Sequence, residues 1–470
     1  MKRTVVSAVF FSAAQCFAGS IQASASSEGP AAAAPSDASV PVSAIIRFTL
    51  LDSPYNLRDG YKGFSMAQSQ DLSRAWQSVV HWGLGQVLDP NATGYKLWLN
   101  SAAYLLADQI LATFPLSPGW SHEEWHRAVM THRNIPSHNT INDLRPFRET
   151  YAVSGQSDED LIRMKKLYPK DHLRLSVAGD ESEREFNLSL QKDRFFKNQN
   201  TVDWTTLLLV NIGSWGYINA AASGDGDQKT LDNEKDEGVD VKKRDFVGFD
   251  YLGWVRDLHR PDEPFEARGQ HPSGVGIRRY TKKSDLTSEE QDYLSSASRW
   301  HVVNFLDPQM LGFDHFTMIS PTTGRELGLN ASLAHYVAPF GTALRLNVFM
   351  KTLSKQTPFG TQGLLFAWQQ NSNQKKSYPQ IDIEHRPVPV GDGSFGVGAR
   401  AALWLQPKNL DFFALKPQPG GLLGVKVVSE GTNGIQPWVE LEGKTKGWVA
   451  GQVDLGQTYG LRAGVETRLK

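Results

Sequence analysis

Two histidines and one glutamate in residues 120–132 have the types and spacing of a metal site. His122 and His126 are four residues apart, and Glu123 follows the first histidine directly. On a helix the two imidazoles would lie on one face about one turn apart, so both could bind one Zn²⁺ at about 2.1 Å. Glu123 would then be placed to take a proton from a metal-bound water. The pattern therefore predicts metal-assisted hydrolysis.

A helix is predicted for this segment by its first residues. Pro118 behind Ser117 is typical of a first helical position, and Ser121 with Glu124 could instead form a capping box. Both arrangements place residues 123–130 on a helix. An acidic pair in a first turn also interacts favourably with the helix dipole without any metal. A charged helix start that binds no metal is thus the alternative interpretation.

The pattern H-E-x-x-H formed by His122, Glu123 and His126 resembles the site of the zincin metallopeptidases. The resemblance covers these three residues and implies zinc, a peptide or protein substrate, and Glu123 as general base. In the metzincin branch a glycine lets the chain turn so that a third histidine also binds the metal. Here His132 has the position of that histidine, but Val129 replaces the glycine. On an uninterrupted helix, His132 would lie about 80° away from the shared face.

The gluzincin branch takes its third ligand, a glutamate, from a later helix. In this chain that resemblance implies Glu181, within residues 178–190, as the third zinc ligand. Glu185 lies four residues later on the same helical face and is an alternative, either as ligand or as a residue that orients a histidine. In the site-2-type proteases the third ligand is an aspartate, for which Asp307 would be the candidate. The predicted metal ligands are His122, His126 and Glu181.

Charge and cysteine content narrow the chemistry further. The formal net charge of −1 provides no long-range field that would recruit nucleic acid. The chain has no Walker-type phosphate loop, so no nucleotide is predicted as a cofactor or partner. The single cysteine, Cys16, lies in a predicted signal peptide. The mature chain would have no disulfide, and any metal site in it must use His, Asp or Glu.

The N-terminal residues predict export. Lys2 and Arg3 precede a short apolar run, and small residues follow, which is typical of a signal peptide over residues 1–25. Residues 26–43 are rich in Ala, Ser and Pro and predict a disordered leader. An exported chain without cysteine suits the periplasm or outer membrane of a Gram-negative bacterium.

Residues 44–331 read as mainly helical. The segments 68–88, 95–114 and 204–221 have apolar residues at helical spacing. Polar interruptions and modest length favour buried core helices over membrane spans for the second and third of these. This part would form the domain that carries the H-E-x-x-H helix.

Residues 332–470 alternate between apolar and other residues, which is typical of strands. Alternation is clearest at 395–405 and 459–469 and recurs at 344–350, 364–368, 381–385, 422–428, 435–441 and 449–455, with 442–447 as a hairpin turn. The region resembles an outer-membrane β-barrel or half-barrel, which implies contact with outer-membrane lipid. The predicted fold class is therefore α+β, with a helical part followed by an antiparallel β region.

These features predict an exported zinc-dependent hydrolase, a gluzincin-type metallopeptidase of the bacterial cell envelope. A noncatalytic outer-membrane β-barrel protein with a helical plug or periplasmic module is the alternative. A third option is an envelope enzyme that modifies lipids, because apolar helices beside a metal site would suit an acyl substrate.

Overall fold

Helices and a large antiparallel sheet make up the fold, which is α+β as the sequence predicts. The computed structural model describes residues 42–57, 63–89, 92, 94–112, 114–141, 151–199, 202–320 and 324–470. The predicted signal peptide 1–25 and nearly all of the predicted leader 26–43 lie outside these residues. The α-helices are α1 Met66–Gly85, α2 Tyr95–Leu111, α3 Pro118–His132, α4 Asp158–Leu167, α5 Pro169–Lys197, α6 Trp204–Ser223, α7 Asp227–Asp236, α8 Asp250–His259 and α9 Ser288–Trp300.

Ten of the described strands form one sheet in the order β1-β12-β11-β10-β9-β8-β7-β6-β5-β4, with every neighbouring pair antiparallel. Short strands β2 and β3 pair separately. The sheet exceeds the predicted region 332–470, because it also contains β1, β4 and the start of β5. The strands are β1 Ala44–Ser53, β2 His138–Ile141, β3 Tyr151–Ser154, β4 Phe316–Ile319, β5 Glu326–Ala338, β6 Gly341–Thr357, β7 Gly360–Ser372, β8 Ser377–Val390, β9 Phe395–Pro407, β10 Pro417–Ser429, β11 Ile435–Lys444 and β12 Thr458–Leu469.

The outer face of the sheet is apolar. Successive side chains of a strand point to opposite faces, and along β9, β10, β11 and β12 every outward position is uncharged. Leu403, Leu423 and Leu441 on this face are 73%, 71% and 59% exposed. An exposed apolar face of this kind differs from the polar outer face that a sheet in water normally presents.

The inner face of the same sheet is polar and packs against the long helix α5. Lys192 of α5 forms an ion pair with Glu384 at 2.6 Å, and Lys197 pairs with Glu466. Asp193 accepts a hydrogen bond from Arg47 of β1 at 2.9 Å. A cavity of about 220 Å³ lies between α5 and the sheet and is lined by further charged side chains. The inner face of the sheet therefore borders a charged interior.

One predicted strand is absent from the described fold. The alternation at 449–455 belongs to a segment of turns between β11 and β12, and the predicted hairpin turn at 442–447 includes the end of β11. Trp448, Val449 and Leu455 are buried, each at most 6% exposed. The segment is apolar because it folds into the interior of the molecule rather than because it alternates across a sheet.

The three predicted helices near residues 68–88, 95–114 and 204–221 correspond to α1, α2 and α6. The expectation that α2 is a buried core helix is wrong, since Ser101 and Tyr104 are the residues of α2 that are buried while Leu99 and Leu106 are 63% and 56% exposed. Among the described helices, none has the length and apolar character needed to cross a membrane.

Candidate metal centre

Helix α3 carries the two candidate histidines. Its N-cap is Ser117, whose side chain accepts a hydrogen bond from the backbone N–H of Trp120, and Pro118 occupies the first turn. This is the start predicted from Pro118, rather than the alternative capping box at Ser121. His122 and His126 are 9% and 1% exposed. Both imidazoles therefore point from one helical face into the protein.

A third side chain meets them from helix α8. Asp250 is the first residue of α8, and its Oδ2 lies 3.2 Å from Nε2 of His122 and 3.4 Å from Nε2 of His126. Ligands at about 2.0–2.1 Å from a tetrahedral zinc are about 3.3–3.4 Å apart. The three ligand atoms lie within 4.8 Å of one another, and all three residues are buried. The two distances from Asp250 to the histidines thus match the spacing of ligands around a tetrahedral zinc.

The other ring nitrogens fix how the imidazoles are turned. Nδ1 of His122 is 3.0 Å from Oε1 of Glu183, and Nδ1 of His126 is 2.5 Å from the carbonyl oxygen of Leu175. Both oxygens can only accept, so each Nδ1 carries the proton. Each Nε2 then faces Asp250, and that of His126 is buried without a hydrogen-bond partner. Metal-binding histidines are oriented in the same way.

The buried carboxylate of Asp250 needs a positive charge close to it. Burial lowers the pKa of His122, but hydrogen bonds to Asp250 and Glu183 outweigh burial and raise that pKa well above its usual value. Burial raises the pKa of Asp250, but the two histidines outweigh it and bring the pKa to about 2. The site holds Asp250 as a carboxylate, and either protons on the histidines or a bound metal ion can compensate its charge.

Two more carboxyl groups, those of Asp245 and Glu123, interact with this cluster. Burial raises the pKa of Asp245 well above its usual value, and the nearby carboxylates of Glu123, Glu237 and Asp250 raise it further. Burial also raises the pKa of Glu123; His122 and His126 oppose this, and Asp250 adds to it. Carboxyl groups crowded in this way favour a divalent cation. A raised pKa also brings Glu123 closer to the range useful for a general base near neutral pH.

The structure does not bring Glu181 to the histidines. Glu181 is fully buried elsewhere, where its carboxylate accepts hydrogen bonds from Arg174 at 2.6 Å, from Nε1 of Trp448 at 3.0 Å and from the backbone N–H of Gly451 at 2.7 Å. Asp250, rather than the predicted gluzincin-type ligand Glu181, lies beside the two histidines. The reason is helical phase: residue 183, not residue 181, faces His122 from α5.

The alternative third ligands also lie away from the cluster. Glu185 accepts a hydrogen bond from the hydroxyl of Tyr336 at 3.0 Å. Asp307 caps the turn Pro308–Leu311 and accepts from Gln191 at 2.7 Å. His132 is the last residue of α3 and lines a different cavity, of about 80 Å³, together with Asp454. None of these described side chains is part of the group formed by the two histidines and Asp250.

Gly179 of α5 makes room for His122. A Cβ atom at this position would lie 2.1 Å from Nε2 of His122. Alanine at this helical position would ordinarily stabilise the helix by up to about 1 kcal/mol. We therefore expect Gly179→Ala to displace His122 and weaken zinc binding by about 10- to 100-fold, the cost typical of a lost orienting contact. Zinc competition with a chelator measures this.

Gly213→Ala is the matched control for that change. Gly213 lies in α6, and a Cβ atom there would have no neighbour within 4 Å. The control should keep the zinc affinity of the unmodified chain. Equal zinc affinity for both alanine variants would contradict the assigned role of Gly179.

Asp257, two turns after Asp250, holds α8 in place. Its carboxylate accepts hydrogen bonds from Lys165 at 2.7 Å, His172 at 2.9 Å and Arg268 at 2.7 Å. Burial raises the pKa of Asp257, but Arg268, then His172 and Lys165, outweigh burial and hold it well below its usual value. A carboxyl group with a lowered pKa stabilises the fold above its unfolded pKa of about 4, and this contribution is lost as the pH falls.

We expect Asp257→Asn to lower the free energy of unfolding by about 3–5 kcal/mol at pH 7, because it leaves buried cations without their counter-charge. The loss should shrink as the pH falls below about 4. Thermal unfolding in detergent solution at several pH values measures both effects. Asp262→Asn, at an exposed position, is the control and should change stability by less than about 0.5 kcal/mol. An equal loss in both variants would contradict the assignment.

No protein-family model, curated protein or solved structure matches this chain. Its candidate function therefore depends on its own geometry.

Proposed function

We propose that the chain is an exported zinc-dependent hydrolase, a metallopeptidase of the bacterial cell envelope. His122, His126 and Asp250 hold the zinc, and Glu123 is the general base. The observation that carries the proposal is the approach of both histidine Nε2 atoms to one oxygen of Asp250, at 3.2 and 3.4 Å. Nε2 of His126 is buried, and its 3.4 Å separation from Asp250 is long for a hydrogen bond, so a metal ion between the two atoms would satisfy both.

The roles follow from the residues around the cluster. When bound, zinc lowers the pKa of a water to about 7 and polarises a carbonyl group. Glu123 is half-buried beside both histidines and accepts the proton of the attacking water. It then returns that proton to the leaving amine. Glu183 and the carbonyl oxygen of Leu175 keep the imidazoles turned towards the metal.

Metal analysis of the purified protein tests this proposal. We expect about one zinc per chain, removable by a chelator and restored by added zinc, with hydrolysis of a peptide library lost and recovered in parallel. Purified protein that contains no zinc and binds none at neutral pH would overturn the proposal.

We also propose that the sheet resides in the outer membrane, as part of a barrel or half-barrel. Its support is the distribution of charge: outward positions of β9 to β12 are uncharged, whereas Arg400, Lys426, Glu440 and Arg462 point inward. Transmembrane strands have this apolar-out, polar-in alternation. We expect the boiled protein to migrate more slowly than the unboiled protein on a detergent gel. Such heat-modifiable migration is typical of β-sheet proteins of the outer membrane.

The same outer face favours a second candidate function. The chain would then be a noncatalytic outer-membrane protein, with its helices as a plug or periplasmic module and with Asp250 and Glu183 stabilising the protonated form of His122. Membrane residence together with absence of bound zinc would favour this candidate, whereas stoichiometric zinc favours the hydrolase.

A further inference from the structure

Helix α1 is polar on its buried side and apolar on its outer side. Its only charged residues, Asp71 and Arg74, are both buried, as is His81. Asp71 accepts a hydrogen bond from Thr49 at 2.6 Å, and Arg74 donates to Asp193 at 3.3 Å. Apart from Ala67 and Gln70, which line the charged cavity, the less buried positions lie on one broad side and are apolar: Leu72, Trp76, Val79, Val80, Trp82, Gly83 and Leu84. A helix at the surface of a water-soluble protein has the opposite arrangement.

Helices α2 and α6 have the same inverted polarity. Asp108 of α2 points inward, with one carboxylate oxygen 2.7 Å from Nε2 of His81 and the other accepting from Thr205 at 2.9 Å and Thr206 at 3.0 Å. Helix α6 contains no charged residue. The outward side chains of α2 are 41% to 63% exposed at Trp98, Leu99, Leu106 and Ile110.

These helices lie between the two edges of the sheet. Helix α1 packs against edge strand β1, α2 packs against both α1 and α6, and α6 packs against the 3-10 turns His301–Phe305 and Pro308–Leu311. Both turns pack against β5, which continues past the short edge strand β4. The elements thus form a closed sequence of neighbours around the charged interior.

Backbone groups at both sheet edges are satisfied by this helical part. On β1, the N–H of Ile45 donates to the side chain of Gln199 at 3.2 Å, and the carbonyl oxygen of Leu50 accepts from Gln68 at 3.3 Å. On β5, the N–H of Leu333 donates to the carbonyl oxygen of Leu306 at 3.1 Å, and that of His335 donates to Asn304 at 2.6 Å. An edge at hydrocarbon depth needs such partners, because lipid tails offer none.

We propose that α1, α2, α6 and residues 301–313 complete the sheet into one wall whose outer side chains contact the acyl chains of a bilayer. This rests on the membrane location proposed above and extends it from the sheet to the helices. Lipid is the occupant because the exposed apolar surface continues from the sheet onto these elements, with Lys96 near the start of α2 as their exposed charged residue, whereas a second copy of the chain would cover one side. Exposed apolar side chains of the last segment are Val302, Leu306, Leu311 and Phe313.

Spin labels on single cysteines test the wall in the full chain, reconstituted into phospholipid vesicles. A Cys16→Ala background removes the chain's only cysteine. Oxygen concentrates in acyl chains and a nickel chelate stays in water, so the ratio of their collision rates with a label reports its surroundings. The test variants are Val79→Cys, Leu106→Cys and Leu311→Cys, the sheet reference is Leu403→Cys, and the control is Val239→Cys, which is 64% exposed between charged residues.

We expect the oxygen-to-nickel ratio at the three test positions to be several-fold above that at Val239 and similar to that at Leu403. Ratios like that of Val239 at the test positions, with a high ratio at Leu403, would overturn the wall and leave the membrane location of the sheet intact. Low ratios at all positions would overturn both. Test labels that neither reagent reaches would mean that another protein covers the helices, which also overturns the proposal.

Discussion

Replacing Glu123 by glutamine is expected to slow peptide hydrolysis strongly while leaving zinc bound. Glutamine keeps the size of the side chain but cannot accept a proton, so the step that activates water loses its base. General base catalysis contributes about 10²- to 10⁴-fold, and we expect kcat to fall by that amount. Zinc content should be unchanged, because Glu123 is not one of the three residues that converge as ligands. Initial rates on a peptide library, normalised to bound zinc, measure the effect.

Glu124→Gln provides the matched control. Glu124 is the next residue of the same helix, but its oxygens bond to Arg127 at 2.5 Å and to Asn139 at 2.6 Å, away from the histidines. Its rate per bound zinc should equal that of the unmodified chain. If Glu123→Gln retained full activity per bound zinc, Glu123 would not be the base and the proposed mechanism would be wrong.

The first part of the site could be predicted from sequence because it is local. His122, Glu123 and His126 lie within five residues of one helix, and helical geometry alone puts both imidazoles on one face. The third carboxylate could not be predicted in this way. Asp250 is 124 positions after His126 and reaches it only through the packing of α8 against α5, about which local spacing carries no information.

The prediction of Glu181 as the third ligand is wrong because this residue faces the other side of its helix. Residues 181 and 183 differ by about 200° around a helix, so only one of them can face α3. Their residue types are the same, and the partners that hold Glu181, Arg174 and Trp448, could not be recognised as partners from the sequence. Gly179 was the available signal. A glycine inside a long helix indicates close approach of another group, and here that group is His122.

The strands show a similar division. The alternation of apolar and polar residues predicts most of them, because successive side chains of a half-buried strand point to opposite faces. It could not predict that β1 pairs with β12, because this pairing joins residues more than 400 positions apart. It also could not separate a strand from the buried segment at 449–455, where apolar residues pack inside the molecule. An apolar residue in the sequence does not show whether its side chain is buried or exposed. In the structure, the apolar side chains on the outer face of the sheet and of α2 are exposed.

Asp250→Asn is expected to weaken zinc binding, whereas Glu181→Gln is expected to lower stability and keep zinc. Together the two variants test which residue is the third ligand. The amide that replaces the Asp250 carboxylate offers a weaker, uncharged ligand oxygen, so zinc affinity should fall by at least about 100-fold, the upper range for changes to orienting partners. Glu181→Gln should keep zinc, because Glu181 lies against Arg174 and Trp448. It should instead lower the free energy of unfolding by about 3–5 kcal/mol, since it leaves buried Arg174 without its counter-charge.

Chelator competition at neutral pH gives the zinc affinities, and thermal unfolding of the metal-free proteins gives the stabilities. Metal-free samples are needed because bound zinc itself stabilises the folded chain by mass action. The reverse result, zinc lost in Glu181→Gln and kept in Asp250→Asn, would restore the gluzincin-type ligand set and contradict the geometry of α8. Loss of zinc in Asp250→Asn alone would establish a site built from two histidines of one helix and the first residue of another.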